Sequence, residues 1–205
     1  MANNFFNAIK TNISADASAP TTIYSPSAIK AIAIELDAAN KSSAGVTLTV
    51  SIEDDSANAS ATAVAINDVT DAGTGTFTDN SHDLVVGDRL LFAFNTAPNI
   101  SSGSTDSALL NTKIYYVQAA DTNTFKIAET RNAGTPMKFS SVGASITYIK
   151  KAIADIVRDA PVPVGGALKV ISGQKLVLEA SDKLYAHCSS ANNVDVVASV
   201  LAEVS

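Results

Sequence analysis

The chain has 205 residues and a formal charge of −6; hydrophobic residues make up 46%, aromatic residues 6% and charged residues 17%, with no Trp. That length can bury a real core, while the acidic balance and a pI near 4.8 exclude a nucleic-acid surface built from clustered Lys and Arg. A single cysteine excludes a disulfide framework or a cysteine-based zinc site within one chain, and the uncharged runs fall short of the roughly 20 residues that span a bilayer.

Residues 1–20 read as an N-terminal arm. Phe5, Phe6 and Ile9 stand at i, i+1 and i+4, a spacing that suits one or two helical turns, a frayed terminus, or a peptide that packs its Phe side chains on a neighbouring subunit. Met1 to Lys10 has no basic stretch followed by an apolar run. It does not read as a secretory signal, so the chain is expected to be made in a cytoplasm with Cys188 reduced.

Strand patterning follows. Ala28 to Leu36 alternates with Ile32, Ile34 and Leu36 on one face. Val46 to Ile52 alternates more cleanly, predicting Val46, Leu48, Val50 and Ile52 inside and Thr47, Thr49 and Ser51 outside. The turn residues from Asn40 to Gly45 predict a hairpin between these strands.

From 57 to 143 the character changes. Short strands are predicted at Gly75–Thr78, Arg89–Phe94, Lys113–Gln118 and Thr124–Ala128, and five of the seven Phe fall here. Asn95 to Asn111 reads as a polar surface loop. The segment is expected to be a small β module inserted into an outer domain.

The C-terminal third returns to aliphatic strands. Ile146–Ile149 and Ala152–Val157 come first, and Pro161 and Pro163 exclude a central strand for Asp159 to Gly166. Ala167–Ile171 and Lys175–Glu179 flank a short hairpin turn, and Lys183–Cys188 and Val194–Leu201 flank another turn. Short strands at this spacing predict an all-β fold. The expected architecture is an antiparallel β-sandwich, jelly-roll or Ig-like, from residues 21–56 plus 144–205, with a small β-barrel-like insert at 57–143.

Few residues suggest chemistry. His82 beside Asp83 invites an acid–base reading, but no nucleophile stands at a recognisable spacing, and a hydrogen-bonded turn histidine is the plainer account. His187 and Cys188 are neighbours in a strand and point to opposite faces, which separates them as a dyad. Glu53, Asp54 and Asp55 form the densest acidic cluster, read as a solvated turn rather than a Ca²⁺ site. Gly73 and Gly75, like Gly165 and Gly166, precede no helix and so make no phosphate loop. No catalytic, cofactor-binding or metal-binding residue is assigned, and no enzyme activity or cofactor is expected.

Two stretches carry a resemblance. Thr76-Phe-Thr78, the run from His82 through Val85-Val86-Gly87-Asp88 to Leu90, Tyr115-Tyr-Val117 and Thr122-Asn-Thr-Phe-Lys-Ile127 resemble a small β module of tailed-phage structural proteins. Asp159 to Leu168, Gly173 to Ala180 and Asn193 to Val197, with the Met-Ala-Asn start and a Thr-rich first strand at Thr21–Tyr24, are similar to β-sandwich virion proteins of marine and cyanobacterial phages. Within that motif Val85 and Val86 are expected to bury beside the insert's core. Of Tyr115 and Tyr116, one is expected inside and one at the surface.

The resemblance implies assembly rather than turnover. It points to a virion structural protein, made in the host cytoplasm, that contacts copies of itself and other virion proteins and binds neither nucleic acid nor membrane. A neck or tail accessory role leads, with capsid decoration and a module binding host surface glycan as alternatives. The interface candidates are Phe5, Phe6, Ile9, Phe94 and Tyr116.

Overall fold

Alternating apolar and β-branched residues produce antiparallel strands throughout the computed structural model, which describes residues 4–27, 29–67 and 75–204. The chain is all-β. It divides into two compact units, Met1–Ala57 with Ala152–Ser205, and Asn58–Lys151.

The first unit opens with β1 (Asn4–Lys10), β2 (Thr21–Tyr24), β3 (Lys30–Asn40) and β4 (Val46–Glu53), and a 3₁₀ turn at Asp55–Ala57 follows. The second unit contains β5 (Thr62–Ala63), β6 (Ala65–Asn67), β7 (Thr76–Thr78), β8 (Arg89–Ala93), β9 (Ile100–Ser102), β10 (Ile114–Ala120), β11 (Thr124–Ala128), β12 (Lys138–Phe139) and β13 (Thr147–Lys151). The chain then returns to the first unit with β14 (Ile153–Val162), β15 (Ala167–Ile171), β16 (Leu176–Leu178), β17 (Lys183–Cys188) and β18 (Val194–Val204).

Two sheets make the first unit. One runs β1-β18-β3-β15, with β16 also on β3; the other runs β14-β4-β17-β2. They share one aliphatic core in which Ala31, Ala33, Leu36 and Ala38 of β3 and alternate residues Val194 to Val200 of β18 meet Leu48, Val50, Leu184 and Ala186. This is a β-sandwich.

Two connections, β3 to β4 and β15 to β16, differ from the hairpins expected. β3 and β4 lie in different sheets, as do β17 and β18, so each turn carries the chain across the sandwich. Asn40 makes the first corner. Its buried amide donates to the carbonyls of Ala44, Val162 and Pro163, while its Oδ1 accepts from the Ser42 N–H and hydroxyl. β15 and β16 do not pair with each other either; both pair along β3, one after the other.

The predicted face of β3 is also corrected. The register against β18 steps between Glu35 and Ala33, leaving Ile34 without a partner there. This bulge turns Ala31 and Ala33 inward on one side of it and Leu36 and Ala38 on the other, so Ile32 and Ile34 are only half-buried. β14 does form a strand across Pro161, at the edge of its sheet, where a missing N–H costs no ladder bond.

In the second unit a seven-stranded sheet runs β5-β13-β8-β10-β11-β7-β6, beside the short pair β12-β9. Its core is aromatic. Phe77 is the hub, stacked on Phe125 at 5.1 Å and 7°, tilted against Phe92 at 5.1 Å, and edge-on to Phe139 at 5.4 Å. Thr147–Lys151, expected among the outer sandwich strands, pairs with β8 and β5 in this unit, and Tyr148 joins the aromatic core. The Asn95–Asn111 stretch is not simply a polar loop: it contributes β9 and inserts the fully buried Leu109.

Candidate functional site

A hydrogen-bonded polar cluster lies on the outer face of β4 and β17. Thr49 and Ser51, predicted to face outward, and Glu53, read as part of a solvated turn, are buried instead. Each is occupied. Thr49 Oγ1 accepts from the Asp159 N–H at 3.1 Å, the Ser51 hydroxyl donates to Asp155 at 2.8 Å, and the Tyr185 hydroxyl donates to Glu53 at 2.6 Å. Lys183 Nζ stands 3.5 Å from the same Glu53 carboxylate. Burial, then the hydrogen bond to Glu53, pushes Tyr185 ionisation well above the ordinary phenol range.

The acidic cluster around Glu53 is likewise structural. Asp54 accepts from the Ser56 hydroxyl and the Ala57 N–H, closing the 3₁₀ turn. The buried Asp182 carboxylate accepts from the Asp55 and Glu179 N–H groups at 3.0 and 2.8 Å. Among the described residues no group of His, Cys, Asp and Glu is arranged to hold a metal ion.

Cys188 is buried in the sandwich, where desolvation raises its thiol ionisation and its Sγ donates to the Ser190 carbonyl at 3.0 Å. His187, its strand neighbour, is only half-buried.

The His82 turn shows why its residues are needed. His82 Nδ1 accepts from the Leu84 N–H, which leaves Nε2 to donate to the Thr124 carbonyl at 3.1 Å. Asp88 accepts from the Val85 N–H at 2.8 Å and pairs with Lys150 at 2.9 Å, while Gly87 takes a φ of 95°. Arg131 donates to the Gly87 carbonyl. Closing the turn on both sides thrusts Val85 and Val86 outward, 61% and 62% exposed, rather than into the core as expected.

The interface candidates separate into two groups. Phe5, Phe6 and Ile9 form no helix or detached arm: they lie on β1, paired along its whole length with β18. Alternation sends Phe6 inward against Tyr24, with ring centroids 5.7 Å apart, and leaves Phe5 and Ile9 exposed at 62% and 60%. Phe94 is half-buried against the second unit's core.

Tyr116 is buried as well as Tyr115, against the expectation that one of them reaches the surface. β10 is central in its sheet, between β8 and β11, and the Arg89 guanidinium lies 5.5 Å from the Tyr116 ring centroid.

The exposed apolar positions on β1 and on the Val85–Val86 turn therefore offer contact rather than reaction chemistry. Sequence reading missed the turn's exposure and the edge position of β1; the Phe5-x-Asn7-x-Ile9 alternation was the available signal for the latter. No protein-family model, curated protein or solved structure matches the chain.

Proposed function

We propose that the chain is a non-enzymatic virion structural protein of a tailed bacteriophage, sited at the neck or tail. It works through contacts with copies of itself and with other virion proteins.

The observation that carries this reading is the placement of unshielded apolar side chains. Each unit presents a pair on a rigid element, Phe5 and Ile9 on β1 and Val85 and Val86 on the pinned turn. An apolar group presented on a held backbone loses little entropy when a partner covers it. Support also comes from the residues behind the resemblance, since the His82, Gly87 and Asp88 positions each have a definite structural task.

The test is imaging of purified particles of the phage that encodes the chain, with a gold-labelled antibody raised against it. Label at the neck or tail supports the reading. Particles that lack the chain altogether refute it.

A further inference from the structure

We propose that β1 is the pairing edge for a second copy of this chain, the two β1 strands running antiparallel about a twofold axis through Asn7. The pairing rests on the reading of the chain as a self-contacting structural protein, and three observations lead to it.

The first is the contrast among the edges of the sandwich. β2 is four residues long and flanked by Pro20 and Pro26. β14 carries Arg158, Asp159 and Pro161 and two register shifts. β15 is five residues long with a register shift, and its Lys169 is paired with Glu35 and Asp37. Short length, bulges, Pro and charge are the devices that keep an edge from pairing with another chain. β1 has none of them: seven residues without Pro, in unbroken register with β18, and charged only at its last residue, Lys10.

The second is the outer face of that sheet. Phe5 lies opposite Leu201 and Ile9 opposite Val197, so both rows next to the open edge are apolar. One strand further in, the same face carries Glu35 opposite Ser199 and Asp37 opposite Val197. The Asn7 and Ile9 rows thus end on carboxylates, while the Phe5 row runs on through Leu201 to Ile32 and to Val177 of β16.

The third observation selects the occupant. Turned about Asn7, β1 is complementary to itself: Phe5 falls opposite the partner's Ile9, Phe6 opposite the partner's Ala8, and Lys10 opposite the partner's Asn4. Each copy then extends an apolar row, Leu201–Phe5, into the partner's Ile9–Val197. On the axis, Asn7 Oδ1 already accepts from the Ser199 hydroxyl at 3.1 Å within each copy. Its Nδ2 group is left to donate to the partner's Asn7, and the same bond returns by symmetry.

The test uses the full chain in sedimentation velocity with two substitutions. The parent chain is expected to dimerise with rising concentration. Ile9→Lys, at a position 60% exposed, is expected to abolish the dimer and to melt at the temperature of the dilute, monomeric parent. Asn7→Cys is expected to give a disulfide-linked dimer on mild oxidation, because directly opposed residues stand about 4.5–5.5 Å apart, within disulfide reach. Lys10→Cys serves as the control, since its two copies lie roughly 20 Å apart along the strands.

A monomer at every concentration, a dimer that survives Ile9→Lys, or an Asn7→Cys chain that stays unlinked each overturns the pairing. An oligomer that ignores both substitutions overturns the pairing and leaves the structural reading standing. Absence of the chain from virions defeats that reading instead.

Discussion

The Tyr185 hydroxyl donates to the Glu53 carboxylate at 2.6 Å across the join of β4 and β17, with Glu53 fully buried. Tyr185→Phe removes that donor from a buried carboxylate that Lys183 Nζ reaches only at 3.5 Å. A buried acceptor stripped of a partner costs about 1–3 kcal/mol, so urea unfolding of the variant should lose stability in that range. Glu53→Gln, which keeps an acceptor for the hydroxyl, should lose less. Equal stability of Tyr185→Phe and the parent chain would contradict the assignment.

Tyr115 gives the second unit a sensitivity to alkali. Burial pushes its ionisation up to about 12, and its hydroxyl oxygen accepts from the Leu110 N–H at 2.9 Å. Because the folded value lies above the unfolded one of about 10, the contribution is complete below about pH 10 and is lost as pH rises towards 12. Tyrosinate absorbance should therefore lag behind that of a free phenol until the second unit opens. Tyr115→Phe should flatten the alkaline loss of stability, and an unchanged slope would count against it.

Asp121 acts at the opposite end of the pH range. Its carboxylate accepts from the Asn123 N–H, and from the Thr124 hydroxyl and N–H, which holds its ionisation below the usual range. A folded value lower than the unfolded one means that the stabilisation is present above about pH 4 and fades as pH falls through the folded value. Asp121→Asn should remove this dependence. Thermal melts across an acid series should show a shallower decline for the variant than for the parent chain.

Gly103 tests the path of the 95–111 stretch. Its φ is +87°, and an added Cβ would lie 2.8 Å from Met137 Cα and 2.9 Å from the Pro136 carbonyl oxygen. Backbone atoms cannot swing aside as a flexible side chain does. Gly103→Ala should cost about 2 kcal/mol or more from the strained dihedral and the contact together. Gly134→Ala, where nothing lies within 4 Å, should stay within about 0.5 kcal/mol of the parent.

Periodicity made the strands legible, and the aromatic concentration marked out a region with its own core. Which strands pair was not legible, because a turn such as Asn40 to Gly45 has the same residue chemistry whether it closes a hairpin or crosses a sandwich. The crossing depends on Asn40 reaching carbonyls 122 and 123 residues away. Period-two reading also failed where a bulge at Ile34 shifted the phase, and where Thr49 and Ser51 met polar partners from β14 rather than water.

The contact surfaces were only half legible. Phe5 and Ile9 stood out as candidates, but their i, i+4 spacing fits a helical face and an alternating strand equally well. Pairing with β18, nearly two hundred residues away in the chain, decides between them. Val85 and Val86 were misread because apolar residues default to the core, whereas Leu84 takes the buried place and the Asp88 cap turns the two valines out.

The central claim is that the chain acts by being touched, in a virion, through these unshielded positions. A residue-resolution map of the particle tests it most directly. Repeated copies of the chain are expected at the neck or tail, with β1 strands paired about Asn7 and neighbouring proteins seated on Val85 and Val86. A map in which the chain is absent, or present with both surfaces open to solvent, would contradict it.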